Sequence, residues 1–446
     1  MTHSACDHAA CGSERKEPCR AVFEPLICGS ILFDDPDTRT TGWISKSGEE
    51  PERFEERRVP ETNVIWITNL SDYRAGQVGL SGRYRSHDFM RTKAAGIFRE
   101  WGLERDPALS ARILGKVFGR VMAVVSQAFP ALDLRTRNMK SLSDAIGAII
   151  PAPKSVSGDQ RLTTIVQGAY KAYHPVEQIQ QSRTSRSRFM AFVIPRFELA
   201  AKILSTPLPY GPWDEFAEGT PGFPPPGGRL EWLEKLGRPS VVRVNFSGRG
   251  SSPLTFVLNG DGREWWTGEE ILAIAEKDEG IAIEIVEAHV ARGTNPSPVS
   301  LPPSGRLAEL SPSFGLFAEN LWVAAASIGT EGNRPPWSLF LRARDRIECL
   351  SVATKLIESQ IAVTGMGYGT VNTFVPEDAD PADILDLARS TGTFPVPGFG
   401  RRFVPLSGNR TDALRVAYAT GSWPTLEKID DMWWEDTLQI GKDKKK

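Results

Sequence analysis

The chain has 446 residues, 40% of them hydrophobic and 24% charged, with a formal net charge of −2; this is an ordinary globular composition, long enough for two or three domains. A surface built to grip duplex DNA throughout would leave a basic excess, so any nucleic-acid contact has to come from local patches. No apolar run reaches the roughly 18 to 20 residues of a membrane span, the nearest, Val117 to Val125, being broken by Gly119 and Arg120, and no signal-peptide pattern opens the chain, so a cytoplasmic protein without membrane contact is expected.

Residues 1–60 read as a polar, partly disordered tail in which only Ala21 to Phe33 is strand-like. Four of the five cysteines fall in its first 28 positions. Cys6, Cys11, Cys19 and Cys28, with His3 and His8, offer zinc ligands but no compact Cys-x-x-Cys pair, so a reduced tail is the expectation and zinc binding stays open. Asn63 to Leu70 is short, apolar and β-branched, which predicts a buried strand. Asp106-Pro107 predicts a helix start, with Asp as cap and Pro in the first turn, and Leu114, Val117, Phe118, Val121 and Val125 line the apolar face of a helix ending before Pro130.

From Gly168 the chain runs through Arg183, Arg186 and Arg188 into an apolar strand beginning at Ala191, an Ala-rich helix to Leu204, and a Pro-Leu-Pro-Tyr-Gly turn ending at Gly211. Strands follow at Val241 to Val244 and Leu254 to Leu258. Thr267 then caps a helix with Glu269 and Glu270 in its first turn, and Ile281 to Val286 is a further strand. Val290 to Gly305 reads as a Pro/Gly/Ser-rich loop before Leu307 to Ala318. The helix after Trp337 places Leu339, Ala343, Ile347, Leu350, Ala353 and Ile357 on one face and feeds a Gly-broken hairpin, Ile361 to Val375. Beyond it lie a Gly/Pro/Phe-rich turn region, Gly392 to Arg402, then Trp423, Trp433 and Trp434, and a lysine tail.

Between about residues 165 and 375 this order of parts resembles the palm of family B DNA polymerases. Tyr368-Gly369-Thr370-Val371-Asn372-Thr373-Phe374-Val375 has the outline of the family's Tyr-Gly-Asp-Thr-Asp-Ser hairpin. Gly262-Arg-Glu-Trp-Trp-Thr-Gly-Glu-Glu-Ile is similar to its Gly-x-Trp-(Trp/Tyr)-Thr-x-x-Glu-Leu block, and Ser311, Phe314-Gly315 and Phe317 follow its fingers motif. A looser likeness, including Asn138 to Gly147, reaches back to the family's proofreading domain. The resemblance implies α/β and α+β architecture: a degenerate exonuclease-like (RNase H-like) domain at 61–165, a palm-like domain with shortened fingers at 166–375, and a reduced thumb-like region with a basic tail at 376–446.

The likeness fails where polymerase chemistry needs charge. On this register Val193 stands for the metal-binding Asp of the first palm strand, Arg196 for a Ser, and Glu198 for the sugar-sensing Tyr. Gly369, Thr370, Val371 and Asn372 replace the hairpin acids, and Arg306 or Leu307 falls near the nucleotide-gripping Lys. Glu198 does not rescue the lost acid: in a strand it faces away from Val193, and in a helix it lies past the metal. Paired magnesium ions need carboxylate oxygens, and a triphosphate needs its cation. The resemblance therefore implies no polymerase or nuclease activity, no catalytic residue, no metal and no other cofactor. It implies a pseudoenzyme that binds primer–template or single-stranded DNA, or docks on a protein of DNA replication or repair, with Arg183, Arg186, Arg188, Lys202 and Arg243 as the candidate phosphate contacts. The alternative is a structural or regulatory protein-interaction module without nucleic-acid contact.

Overall fold

A computed structural model describes residues 27–55, 63–70, 84–85, 103, 106–134, 141–150, 160–170, 174–175, 187–248, 263–277, 280–305, 307–328, 335–397 and 427–436. Within them the protein is a mixed α/β molecule with three small sheets.

The first sheet holds β1 (Cys28–Phe33), β2 (Gly42–Lys46), β3 (Glu52–Phe54), β4 (Ile65–Thr68) and β5 (Tyr84–Arg85) in the order β3-β2-β1-β4-β5. β2 and β3 run antiparallel, while β4 lies parallel to both β1 and β5. Cys28, Leu32, Ile65 and Ile67 face the main core and helix α1 (Pro107–Ala128), whereas Ile31, Phe33, Ile44, Phe54 and Trp66 form a smaller apolar cluster on the other side. Every residue of β1 is therefore buried, as a central strand requires. The polar tail expected at residues 1–60 is corrected here: β1 falls within the strand-like stretch expected at Ala21 to Phe33, but 42–54 supplies two further strands of this sheet, because strands this short, with Glu52 and Arg53 facing out, carry too little apolar periodicity to stand out. Cys28 is a buried core residue, while the remaining members of the proposed zinc cluster lie outside the described residues.

Helix α1 begins as expected, Asp106 Oδ1 accepting from Leu109 N at 2.9 Å with Pro107 in the first turn. Short helices α2 (Leu142–Gly147) and α3 (Gln160–Ala169) follow, the first capped by Ser141. The third sheet then opens with β6 (His174–Pro175) and β7 (Ser187–Val193), which leads into α4 (Arg196–Leu204).

The second sheet comprises β8 (Leu208–Phe216), β9 (Ser240–Gly248), β10 (Trp265–Thr267) and β11 (Ile281–Asn295), antiparallel in the order β10-β9-β11-β8. Two expectations change. The Pro-Leu-Pro-Tyr-Gly turn is the start of β8, whose place at the sheet edge tolerates Pro209 and Pro212. The loop expected from Val290 begins only after Asn295, because β11 runs on to pair with β8. Helices α5 (Arg229–Leu236) and α6 (Gly268–Lys277) pack on this sheet, and Leu254 to Leu258 lies outside the described residues.

Helix α7 (Pro312–Ala326) is buried at every position except Glu319, and packs on α1, α2, α4 and α8 (Pro336–Glu358). Strands β12 (Ala362–Gly367) and β13 (Thr370–Pro376), helix α9 (Pro381–Thr391) and β14 (Phe394–Pro397) complete the third sheet, ordered β14-β7-β13-β12-β6. Part of the turn region expected at Gly392 to Arg402 is thus strand. A last helix, α10 (residues 427–436), returns to α1 and α7, and one apolar cluster runs from Cys28 to Trp433.

Candidate functional site at the hairpin turn

Strands β12 and β13 pair so that Gly367 faces Thr370, leaving Tyr368 and Gly369 as a two-residue turn. Both have positive φ, 57° and 68°, as a type I′ hairpin turn requires. Glycine adopts this freely, but tyrosine does not, so something must hold Tyr368 there. Asp345 does so. Its carboxylate reaches from α8 and accepts from Tyr368 N at 2.6 Å and Gly369 N at 2.7 Å, satisfying both turn amides. The Tyr368 ring lies 4.4 Å from the Arg342 guanidinium, which also donates to Ser327 Oγ at 2.8 Å. Gly369 is constrained twice over, since a Cβ built there would collide with Leu199 Cδ2. Gly369→Ala is accordingly expected to cost about 1–3 kcal/mol, read as a lower urea midpoint at unchanged slope.

The turn meets β7 directly. Val193 lies opposite Thr370, Ala191 opposite Asn372, and Ile194 N donates to Gly369 O at 2.8 Å. Alternation along the strands puts Val193, Ala191, Thr370 and Asn372 on a half-exposed face, with Val371 and Phe192 behind them in the core. No side chain in that quartet carries charge. Glu198 is exposed on the first turn of α4 and pairs with Lys202 at 3.0 Å. Arg196 bonds Glu319 of α7 at 2.7 Å, while Phe314 packs against Phe197 at 5.8 Å and Gly315 faces the stem of Arg196. Val193, Arg196, Phe314, Gly315 and the hairpin turn therefore belong to one neighbourhood.

Of the proposed phosphate contacts, Lys202 and Arg243 lie on different elements, each engaged by carboxylates of the chain. Lys202 is held by Glu198 and Glu348, both at 3.0 Å, and Arg243 lies on the second sheet, 3.4 Å from Glu287 and over the Trp265 ring. Arg188 stands on β7 opposite Val375, and Arg183 and Arg186 lie outside the described residues.

What sequence reasoning missed is the buried ionic layer behind the turn. Asp345, Arg342 and Arg346 are essentially inaccessible. Burial pushes the Asp345 carboxyl up, only partly countered by Arg342, the two turn amides and Arg346. Burial, with the neighbouring Asp345 charge, raises the Cys349 thiol well above its usual range, so it is not a ready nucleophile. Arg346 Nε donates to Glu270 at 2.6 Å, and Arg263 reaches the same carboxylate at 3.3 Å. On the second sheet Glu215, Glu287 and His289 bring one ligand atom each within 4.8 Å of one another, a donor set suited to a divalent cation. Arg161 already bonds both of these glutamates, at 2.7 and 2.6 Å, and supplies the positive charge there.

No family model matches the chain, and no curated protein does. Among solved structures it is similar to phi29 DNA polymerase complexed with primer-template DNA and incoming nucleotide substrates, at 10% identity and a TM-score of 0.37 over 82% of each chain. It is also similar to the same polymerase complexed with single-stranded DNA, at 10% identity and a TM-score of 0.38 over 81% of this chain and 82% of that one.

Proposed function

We propose that the chain is a non-catalytic, family B polymerase-like protein that binds nucleic acid and serves as an accessory component of DNA replication or repair. The observation carrying this reading is the register of β7 on β13. It sets the two segments with polymerase-like outlines edge to edge, and the face they share presents Val193, Ala191, Thr370 and Asn372. Two magnesium ions bridging an attacking and a leaving oxygen need carboxylates at such a junction. Asp345, the buried acid behind the turn, spends both oxygens on backbone amides. Among the described residues, the Val193, Ala191, Thr370 and Asn372 face offers such a centre no carboxylate, which supports the non-catalytic reading, whereas a binding surface needs none.

Two measurements test the reading. Primer extension with magnesium or manganese should yield no template-dependent product. Anisotropy with single-stranded and primer–template DNA should show binding that weakens steeply between 50 and 200 mM salt, as release of counterions from phosphates demands. Extension would overturn the pseudoenzyme assignment, and salt-insensitive or absent binding would overturn nucleic-acid recognition. The second reading, a protein-interaction module, draws support from Lys202 and Arg243, both of which are engaged by carboxylates of the chain itself. A stoichiometric protein partner recovered free of nucleic acid would favour it.

A further inference from the structure

Along α1, Arg112, Lys116 and Arg120 recur every four residues and so stand on one face, about 6 Å apart along the helix axis. The acidic helix α10 lies on that stripe. Arg112 forms a two-pronged pair with Glu427 at 2.7 and 2.9 Å, Lys116 reaches Glu427 at 2.9 Å and Asp431 at 2.8 Å, and Arg120 spans Asp430 and Asp431 at 2.7 and 2.5 Å. Asp430 also occupies the N-terminal end of α7, where its carboxylate accepts from Ser311 Oγ, Ser313 Oγ and Ser313 N at 2.5, 2.7 and 3.0 Å. A helix N-terminus with free amide and hydroxyl donors is the environment that phosphate oxygens favour.

We infer that the α1 stripe with the start of α7 is a binding surface for the phosphate backbone of single-stranded nucleic acid, and that α10 is its resident competitor, its carboxylates standing where phosphates would bind. The ligand class rests on the nucleic-acid reading above, but the surface is a different one from the hairpin face. Charge complementarity carries the assignment. Three cations in a row, one per helical turn, match an extended polyanion, and the donors around Asp430 define one anion position in full. The opposing force is Trp433, which is fully buried against Phe314 with ring centroids 5.4 Å apart and must leave that pocket for α10 to move. A mononucleotide, touching one cation, does not displace α10; an oligonucleotide that engages all three does.

The test uses the full chain and fluorescein-labelled oligo(dT) of 20 nucleotides. The pair Glu427→Gln and Asp431→Asn leaves Asp430, with its contacts to Arg120 and the start of α7, in place and frees Arg112 and Lys116. Binding should tighten at least tenfold, and the slope of log K against log salt should steepen by about 1.4, two contacts at about 0.7 each. Adding Arg112→Gln and Lys116→Gln should abolish the gain. In the unaltered protein, hydrogen exchange across 427–436 should rise when the oligonucleotide is added and stay constant with thymidine monophosphate. Oligonucleotide binding with unchanged exchange at 427–436 and no gain in the acid-neutralised variant overturns this surface while sparing nucleic-acid binding elsewhere. Absence of binding in every variant overturns both, and displacement by inorganic polyphosphate but not by oligo(dT) overturns the choice of ligand.

Discussion

Asp345→Ala is expected to lower stability by about 3–5 kcal/mol, since it removes one member of a buried ionic layer and leaves its partners uncompensated. The turn amides of Tyr368 and Gly369 would lose their acceptor inside the protein, and Arg342 and Arg346 would lose a neighbouring negative charge. Asp345→Asn should cost less but more than a surface change, because the amide accepts one of the two N–H groups and turns a donor toward the other. Thermal or urea unfolding reads both.

The pH dependence gives a separate signature. The folded-state pKa of Asp345 is raised by burial, so the protonated carboxyl contributes stability that is full below the ordinary carboxylate range and is lost as pH rises through the folded value. Glu427 and Asp431 behave oppositely: burial pushes them up, but hydrogen bonds and charges from Arg112, Lys116 and Arg120 outweigh it and hold both low. Their contribution is present above the ordinary carboxylate range and disappears as pH falls through the folded values. Glu269 is raised by burial as well, so stability measured from pH 7 downward should first rise and then fall, and Asp345→Asn should shrink the rise while keeping the fall.

How much of this was legible depended on whether a residue's role was local. Asp106-Pro107 announced α1, and the same kind of signature, Ser311-Pro312 and Asp380-Pro381, starts α7 and α9, where Ser311 Oγ accepts from Phe314 N and Asp380 from Ala382 N. Thr267 was readable as a cap, and Glu270 reciprocates by accepting from Thr267 N at 3.2 Å, a capping box. Helix α8 and its hairpin were readable from apolar period and glycine. Asp345 was not, because an acid on an amphipathic helix reads as solvent-facing, and only tertiary packing turns that side of α8 toward the turn. Ile347 and Ile357, read as core, are only partly buried, while Arg342 and Arg346 are nearly sealed off. Cations failed similarly: Arg243 looks free in sequence because its partner Glu287 is distant along the chain, and Lys202 shows only its local partner Glu198, not the distant Glu348.

Glu270→Ala should match or exceed the loss at Asp345, at about 3–5 kcal/mol, because this one carboxylate serves three elements of structure. It accepts from Thr267 N and Oγ1 at the start of α6, from Arg263 at the edge of β10, and from Arg346 on α8, and only 4% of it is accessible. Losing the cap alone accounts for about 0.5–2 kcal/mol, and the remainder comes from two buried guanidiniums left facing an apolar methyl. Glu270→Gln keeps the shape and one acceptor, so it should recover part of the loss but not the charge. Because Arg346 lies between Glu270 and Asp345, the two alanine variants share a partner and should not be additive. A double-mutant cycle is expected to give a coupling of at least about 0.5 kcal/mol, and strict additivity would mean that the second sheet and the hairpin turn are not joined through Arg346.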